Sequence, residues 1–276
     1  MPAHNQNHIL RALIIGDSLG APRPHRGQNL DSTWPVRLKT KYPQIDIWQR
    51  CRAGSMSDSV LKEYHLFSDS ISDFDLLVIQ VGIGDCCPRP YPLFLEKFIM
   101  AYGFRRLHKW LSSLYSTLLK FRSKPWISRR EFAANLKQMI DTTRERNPRA
   151  KICVVKIGTP HGEFVRKVWN VREYAAAYNE TMEELCRSYG PDSTVASIDP
   201  YLGFEPEELF ISDGHHLTIC GHRAVAQTLD PYFASLLNGQ PEASSVTAKI
   251  TGGASPQLDL PAKTITANAH SPCATS

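Results

Sequence analysis

Leu10-Arg11-Ala12-Leu13-Ile14-Ile15-Gly16-Asp17-Ser18-Leu19 is a short apolar run that stops at a glycine and turns through Asp-Ser. Its length, its Leu/Ile content and the abrupt turn read as a strand buried on both faces. The same reading applies to Ile45–Trp48, Leu76–Val81, Ile152–Ile157 and Val195–Ile198. Helical spacing fills the intervals at Trp34–Tyr42, Ser57–Ser72, Glu131–Arg146 and Arg166–Tyr189, with a last helix from Thr218 to about Leu237. Strands alternating with helices predict a parallel α/β sheet covered on both faces. Right-handed crossovers allow a flavodoxin-like, three-layer α/β/α fold, its five strands in the order 2-1-3-4-5.

In such a sheet, ligands bind beyond the carboxyl ends of the strands. Ser18 follows the first strand, Gly54 the second, Gly82-Ile83-Gly84-Asp85 the third, and Asp213-Gly214-His215-His216-Leu217 the fifth. A serine on a turn is also an ordinary helix cap. Asp213 and His216, about two hundred positions away, add a base for its proton and a carboxylate to orient that base. Together they form an activated serine nucleophile suited to acyl chemistry.

The first and last of these blocks carry a resemblance. Gly16-Asp17-Ser18-Leu19-Gly20 and Asp213-Gly214-His215-His216-Leu217 are similar to the nucleophile and acid–base blocks of the SGNH (GDSL-type) hydrolases, over roughly His8 to Leu237 without the insertion. The resemblance implies a flavodoxin-like fold, ester hydrolysis without a cofactor, and catalytic roles for Ser18, Asp213 and His216. It also implies an oxyanion hole built from the Ser18 N–H, the Gly54 N–H and an asparagine of a Gly-x-Asn-Asp block. Here that block reads Gly82-Ile83-Gly84-Asp85, so Gly84 stands at the asparagine position. The alternatives are acyl transfer by the same triad, which requires excluding water, and a non-catalytic binding module on this fold.

Substrate-binding candidates are Asp17 and Asp85, beside the two turns, and two arginines. Pro22-Arg23-Pro24 and Pro88-Arg89-Pro90 place each arginine between prolines that stiffen its loop. Arginine binds carboxylate or phosphate through two parallel hydrogen bonds. An O-acylated anionic carbohydrate or related precursor is the expected substrate. His215, His216, Cys220 and His222 are metal-ligand types, but their spacing matches no common structural zinc site, and no metal is expected. His161, after the fourth strand, reads as a loop histidine.

Net charge is +5, unevenly placed: residues 91–130 hold nine Lys/Arg and one acid, which leaves −3 for the remainder. The acidic body and the lack of a nucleic-acid-binding motif argue against nucleic acid. Within the insertion at 88–127, Leu107, Trp110, Leu111, Leu114, Leu118 and Phe121 share one helical stripe. A packed lid is the first expectation, with a peripheral membrane or protein contact through 91–126 as the other. The domain is expected to span 1–238, with a disordered tail of Gly, Pro, Ser and Thr over 239–276. No run reaches 18 apolar residues and no leader pattern opens the chain. The seven cysteines form no C-x-x-C pair, so reduced thiols in a cytoplasmic protein are expected.

Overall fold

The computed structural model describes residues 9–70, 73–89, 98, 117, 119, 124–191 and 193–238. Five parallel strands form the sheet: β1 (Arg11–Gly16), β2 (Asp46–Cys51), β3 (Leu76–Gln80), β6 (Lys151–Val155) and β7 (Val195–Ile198). Their order is β2-β1-β3-β6-β7, the expected 2-1-3-4-5 arrangement of the five. Two two-residue strands, β4 (Pro88–Arg89) and β5 (Lys124–Pro125), pair antiparallel at the base of the insertion.

The helices are α1 (Trp34–Lys41), α2 (Ser57–Ser70), α3 (Ile83–Cys86), α4 (Arg129–Arg146), α5 (Gly162–Lys167), α6 (Val171–Ser188), α7 (Pro206–Leu209) and α8 (Ile219–Leu237). Strand order reverses after β2, so right-handed crossovers put α1 on one face and α2, α4 and α6 on the other. Accordingly α2 packs on α4, α4 on α6, and α8 returns to lie against α1. Enclosure on both faces leaves Ala12–Ile15 of β1 and Leu76–Ile79 of β3 almost wholly buried, which is why both read as unbroken apolar runs.

Three boundaries differ from the expectation for identifiable reasons. β2 continues to Cys51, because an edge strand alternates, and its polar Gln49 and outward Arg50 interrupt the apolar run. The segment Arg166–Tyr189 is two helices, α5 and α6, broken where Asn170 takes a left-handed conformation (φ 53°). α4 begins at Arg129, capped by the Ser128 hydroxyl accepting the Glu131 N–H. Cys51, Cys86, Cys87, Cys153 and Cys186 are free thiols, whereas Cys220 is disulfide-bonded. Spatial approach decides pairing, and sequence spacing does not report it.

The tail from 239 lies outside the described residues, as does most of the insertion. Of the insertion, Leu119 is buried with Val168 and Val171, beside the partly buried Phe164. Among the described residues, no helix is long and apolar enough to cross a membrane.

Candidate active site

β1 must end in glycine: a Cβ on Gly16 would lie 2.3 Å from the Gln80 carbonyl oxygen of β3. The Asp17 N–H then donates to that same oxygen (2.9 Å) and the chain turns away from the sheet. Asp17 Oδ1 accepts the Leu19 N–H (2.9 Å), closing a single 3-10 turn that begins at Ser18. The turn stands on a buried polar platform. Gln80 Oε1 accepts from Trp34 Nε1 (2.9 Å), Gln80 Nε2 donates to the Tyr201 hydroxyl (3.2 Å), and His222 Nδ1 accepts the Trp34 N–H (3.3 Å). These side chains are nearly solvent-free, so every satisfied bond also fixes an orientation.

The segment after α7 folds back as a tight loop, with Phe210 bridged to Leu217 and the Ile211 N–H on the His216 carbonyl (2.8 Å). Asp213 organises it: Oδ1 accepts the N–H groups of His215 (3.2 Å) and His216 (3.1 Å), and Oδ2 lies 2.8 Å from His216 Nδ1. The other ring nitrogen, Nε2, is 3.0 Å from Ser18 Oγ, across 198 positions of chain. Asp213 accepts only, so Nδ1 carries the proton and Nε2 is left to receive one from Ser18.

Burial opposes ionisation of Asp213, but the His216 ring and backbone N–H bonds hold its carboxyl below the usual range. Burial pushes His216 down to about 4; nearby His215 and Arg23 push the same way, against the attraction of Asp213. The imidazole is therefore neutral, the form a base requires, over all but strongly acidic pH.

Two further contacts pin this loop. The His161 N–H donates to the Gly214 carbonyl (3.0 Å), and Phe164 of α5 stacks on His215 with ring centres 4.2 Å apart. From the nucleophile side, Gln28 Nε2 donates to the Leu217 carbonyl (2.6 Å). Gln28 also closes a small hairpin with Arg23, through Arg23 N to Gln28 O (3.0 Å) and Gln28 N to Arg23 O (3.1 Å). No sequence motif marked Gln28, Gln80 or Trp34, whose importance is visible only through partners distant in sequence. His222, weighed in the sequence as a metal ligand, turns its ring to Trp34 and so does not join His215 and His216. Among the described residues, Asp213, His215 and His216 bring metal-type donor atoms within 4.8 Å of one another, but Asp213 and His216 are already bonded to each other.

Gly54 and Gly84 follow β2 and β3, the two strands flanking β1, so their loops border the Ser18 turn. Gly54 is needed for its left-handed backbone (φ 77°). Gly84 is in the first turn of α3, where N–H groups have no intrahelical acceptor. A Cβ there would meet Met56 Cγ at 3.3 Å and the Ser55 carbonyl at 3.5 Å, so the two loops touch at this position.

Asp17 and Asp85 correct the expectation of substrate contact: they are 2% and 0% exposed. Asp85 accepts the Ser57 N–H (2.9 Å), tying the β3 loop to the start of α2, and burial pushes it up to about 6. Asp17 Oδ2 has no partner among the described residues, and burial pushes this carboxyl up to about 7. A carboxyl raised in the folded state stabilises most below its unfolded value, near 4, and loses that contribution as pH rises to about 7. Asp17→Asn keeps the acceptor for Leu19 and removes the buried charge. It is expected to stabilise the fold at pH 8 by about 2–4 kcal/mol, and by nothing near pH 3.5, in denaturant titrations at the two pH values.

Arg23 and Arg89 each bury Nε without a partner among the described residues. Arg89 lies over the Trp126 ring at 5.3 Å. Arg23 sits beside the His216 loop through its hairpin with Gln28.

The order of strands, the loops at one sheet edge and the Ser–His–Asp chain of hydrogen bonds define an SGNH-type ester hydrolase. The sequence model of the GDSL-like lipase/acylhydrolase family matches residues 14–224, and the chain belongs to that family. No curated protein matches the chain in sequence. Solved structures share the fold at low identity. A carbohydrate acetylesterase family member from Sinorhizobium meliloti is 14% identical (TM-score 0.56), with 84% of this chain and 100% of that one covered. An acetyl esterase mutant with acetate ion is 13% identical (TM-score 0.54; 83% and 99% covered), and TesA 14% (TM-score 0.52; 82% and 99%).

Proposed function

We propose that this protein cleaves carboxylic esters through an acyl-enzyme on Ser18. The observation that carries the reading is the unbroken path Ser18 Oγ to His216 Nε2 to His216 Nδ1 to Asp213 Oδ2, at 3.0 and 2.8 Å. His216 removes the Ser18 proton as Oγ attacks the ester carbonyl, while Asp213 stabilises the imidazolium. The intermediate's negative oxygen is met by backbone N–H groups of Ser18, Gly54 and Gly84. His216 then gives its proton to the departing alcohol, and water repeats the cycle to free the acid.

The finer reading is removal of an O-acyl group from an anionic carbohydrate or related precursor. Arg23 and Arg89 support it, being cations on stiffened loops with no carboxylate within ion-pair distance among the described residues. A fluorophosphonate probe tests the chemistry directly. Wild-type protein is expected to be labelled once, at Ser18, with the rate holding from pH 8 to 5.5 because His216 stays neutral. Labelling elsewhere, or none at any pH, would refute the assignment.

A further inference from the structure

The leaving oxygen of the ester has a fixed place in this site. It must take a proton from His216 Nε2, so it lies within hydrogen-bond reach of that nitrogen. The Gly54 and Gly84 loops, beyond β2 and β3, take the carbonyl oxygen. The alcohol portion therefore extends over the Asp213–Leu217 loop and over whatever borders it.

Among the described residues, the Phe164–His215 stack and the hairpin closed by Arg23 and Gln28 both border that loop. The hairpin reads Arg23-Pro24-His25-Arg26-Gly27-Gln28, with two arginines and no acid. It is held against the loop by the 2.6 Å bond from Gln28 Nε2 to the carbonyl of Leu217, the residue after the base. Gln28 is 3% exposed, so this is a buried anchor. Arg23 is restrained at three levels: prolines on both sides, backbone bonds to Gln28 in both directions, and a buried Nε. The hairpin's bond to Leu217 sets Arg23 beside the Asp213–Leu217 loop, and its charge bears on Asp213, His215 and His216. Asp213 is committed to His216.

We propose that Arg23 is the specificity residue of this site, binding a carboxylate or phosphate on the alcohol portion of the ester. The inference rests on the hydrolase reading above and deepens it. The substrate is then an acylated hydroxy acid or phosphorylated alcohol whose acyl group is uncharged. In the acylation step the ester C–O bond breaks, a new bond joins the carbonyl carbon to Ser18 Oγ, and the Ser18 proton passes through His216 to the leaving oxygen. The anion stays on the released alcohol, held by Arg23.

Three esters separate the sides of the site: phenyl acetate, which is neutral; 4-carboxyphenyl acetate, charged on the alcohol; and phenyl hemisuccinate, charged on the acyl group. Wild-type enzyme is expected to favour 4-carboxyphenyl acetate over phenyl acetate in kcat/KM. That ratio falls tenfold or more in Arg23→Gln and is largely kept in Arg23→Lys, while the hemisuccinate-to-acetate ratio does not move. A purely structural Arg23 would lower all three rates together and leave both ratios unchanged, which overturns the proposal. A wild type without charge preference, or a loss confined to hemisuccinate, also overturns it.

A second measurement does not need turnover. Millimolar inorganic phosphate is expected to slow fluorophosphonate labelling of Ser18 in the wild type and not in Arg23→Gln; equal slowing in both refutes the anion site. Protein that neither takes the label nor cleaves any ester would sink the hydrolase reading and this inference with it. Labelled protein without charge selectivity sinks only this one.

Discussion

Ser18→Ala lowers kcat/KM on carboxylic esters by about 10⁴–10⁶ and leaves the fold intact. The size follows from the job lost: without Oγ there is no acyl-enzyme, and a water must attack in a site shaped for a side chain. The residue left by the substitution is catalysis from the oxyanion N–H groups and from binding, neither of which touches Oγ. The stability cost is small, because among the described residues the Ser18 hydroxyl makes one hydrogen bond, to the part-buried His216, worth about 1 kcal/mol. Active-site titration together with thermal melting checks both halves. Activity retained within tenfold would mean that the nucleophile lies elsewhere.

Gly214→Ala is the second large effect, and it is mechanical. Gly214 lies between the acid and the base with φ of 86°, and its Cβ would stand 1.9 Å from the His161 carbonyl oxygen and 3.2 Å from Phe164 Cβ. The first neighbour is backbone, so a side-chain rotation cannot relieve the overlap. The loop must move, carrying Asp213 and His216 with it. A misplacement on the order of 1 Å at a reacting group costs about 10² in rate. The strain costs about 2–4 kcal/mol in stability. Gly203→Ala supplies the control: its φ is 85°, yet a Cβ there meets nothing within 4 Å. It is expected to lose about 1 kcal/mol from the left-handed backbone alone and to keep its activity. Equal losses of activity in the two variants would show that overlap at Gly214 is not the cause.

The buried platform shows where sequence reading stops. Gln80 and Trp34 are ordinary residues of a strand end and a helix start, and nothing local marks them as partners. Their hydrogen bond spans 46 positions, and the His222 bond to Trp34 spans 188. The histidine was legible as a metal-ligand type, since chemistry of the side chain is local information, but its partner is not. The two acids beside the turns were visible for the same reason. That Asp17 and Asp85 are buried supports depends on what packs over them.

By itself the sequence determined the strands enclosed on both faces, the helices between them, and the identities of the serine, histidine and aspartate. Those follow from periodicities and motifs that persist over a few residues, because burial on two faces leaves an unbroken apolar run. The tertiary structure alone decided that Ser18 and His216 meet at 3.0 Å, and that Gln28 ties the nucleophile loop to Leu217. It also decided that the hairpin carrying Arg23 lies against the Asp213–Leu217 loop. Such pairings depend on strand order and on loops returning to one sheet edge, a long-range packing outcome that no short stretch of chain encodes.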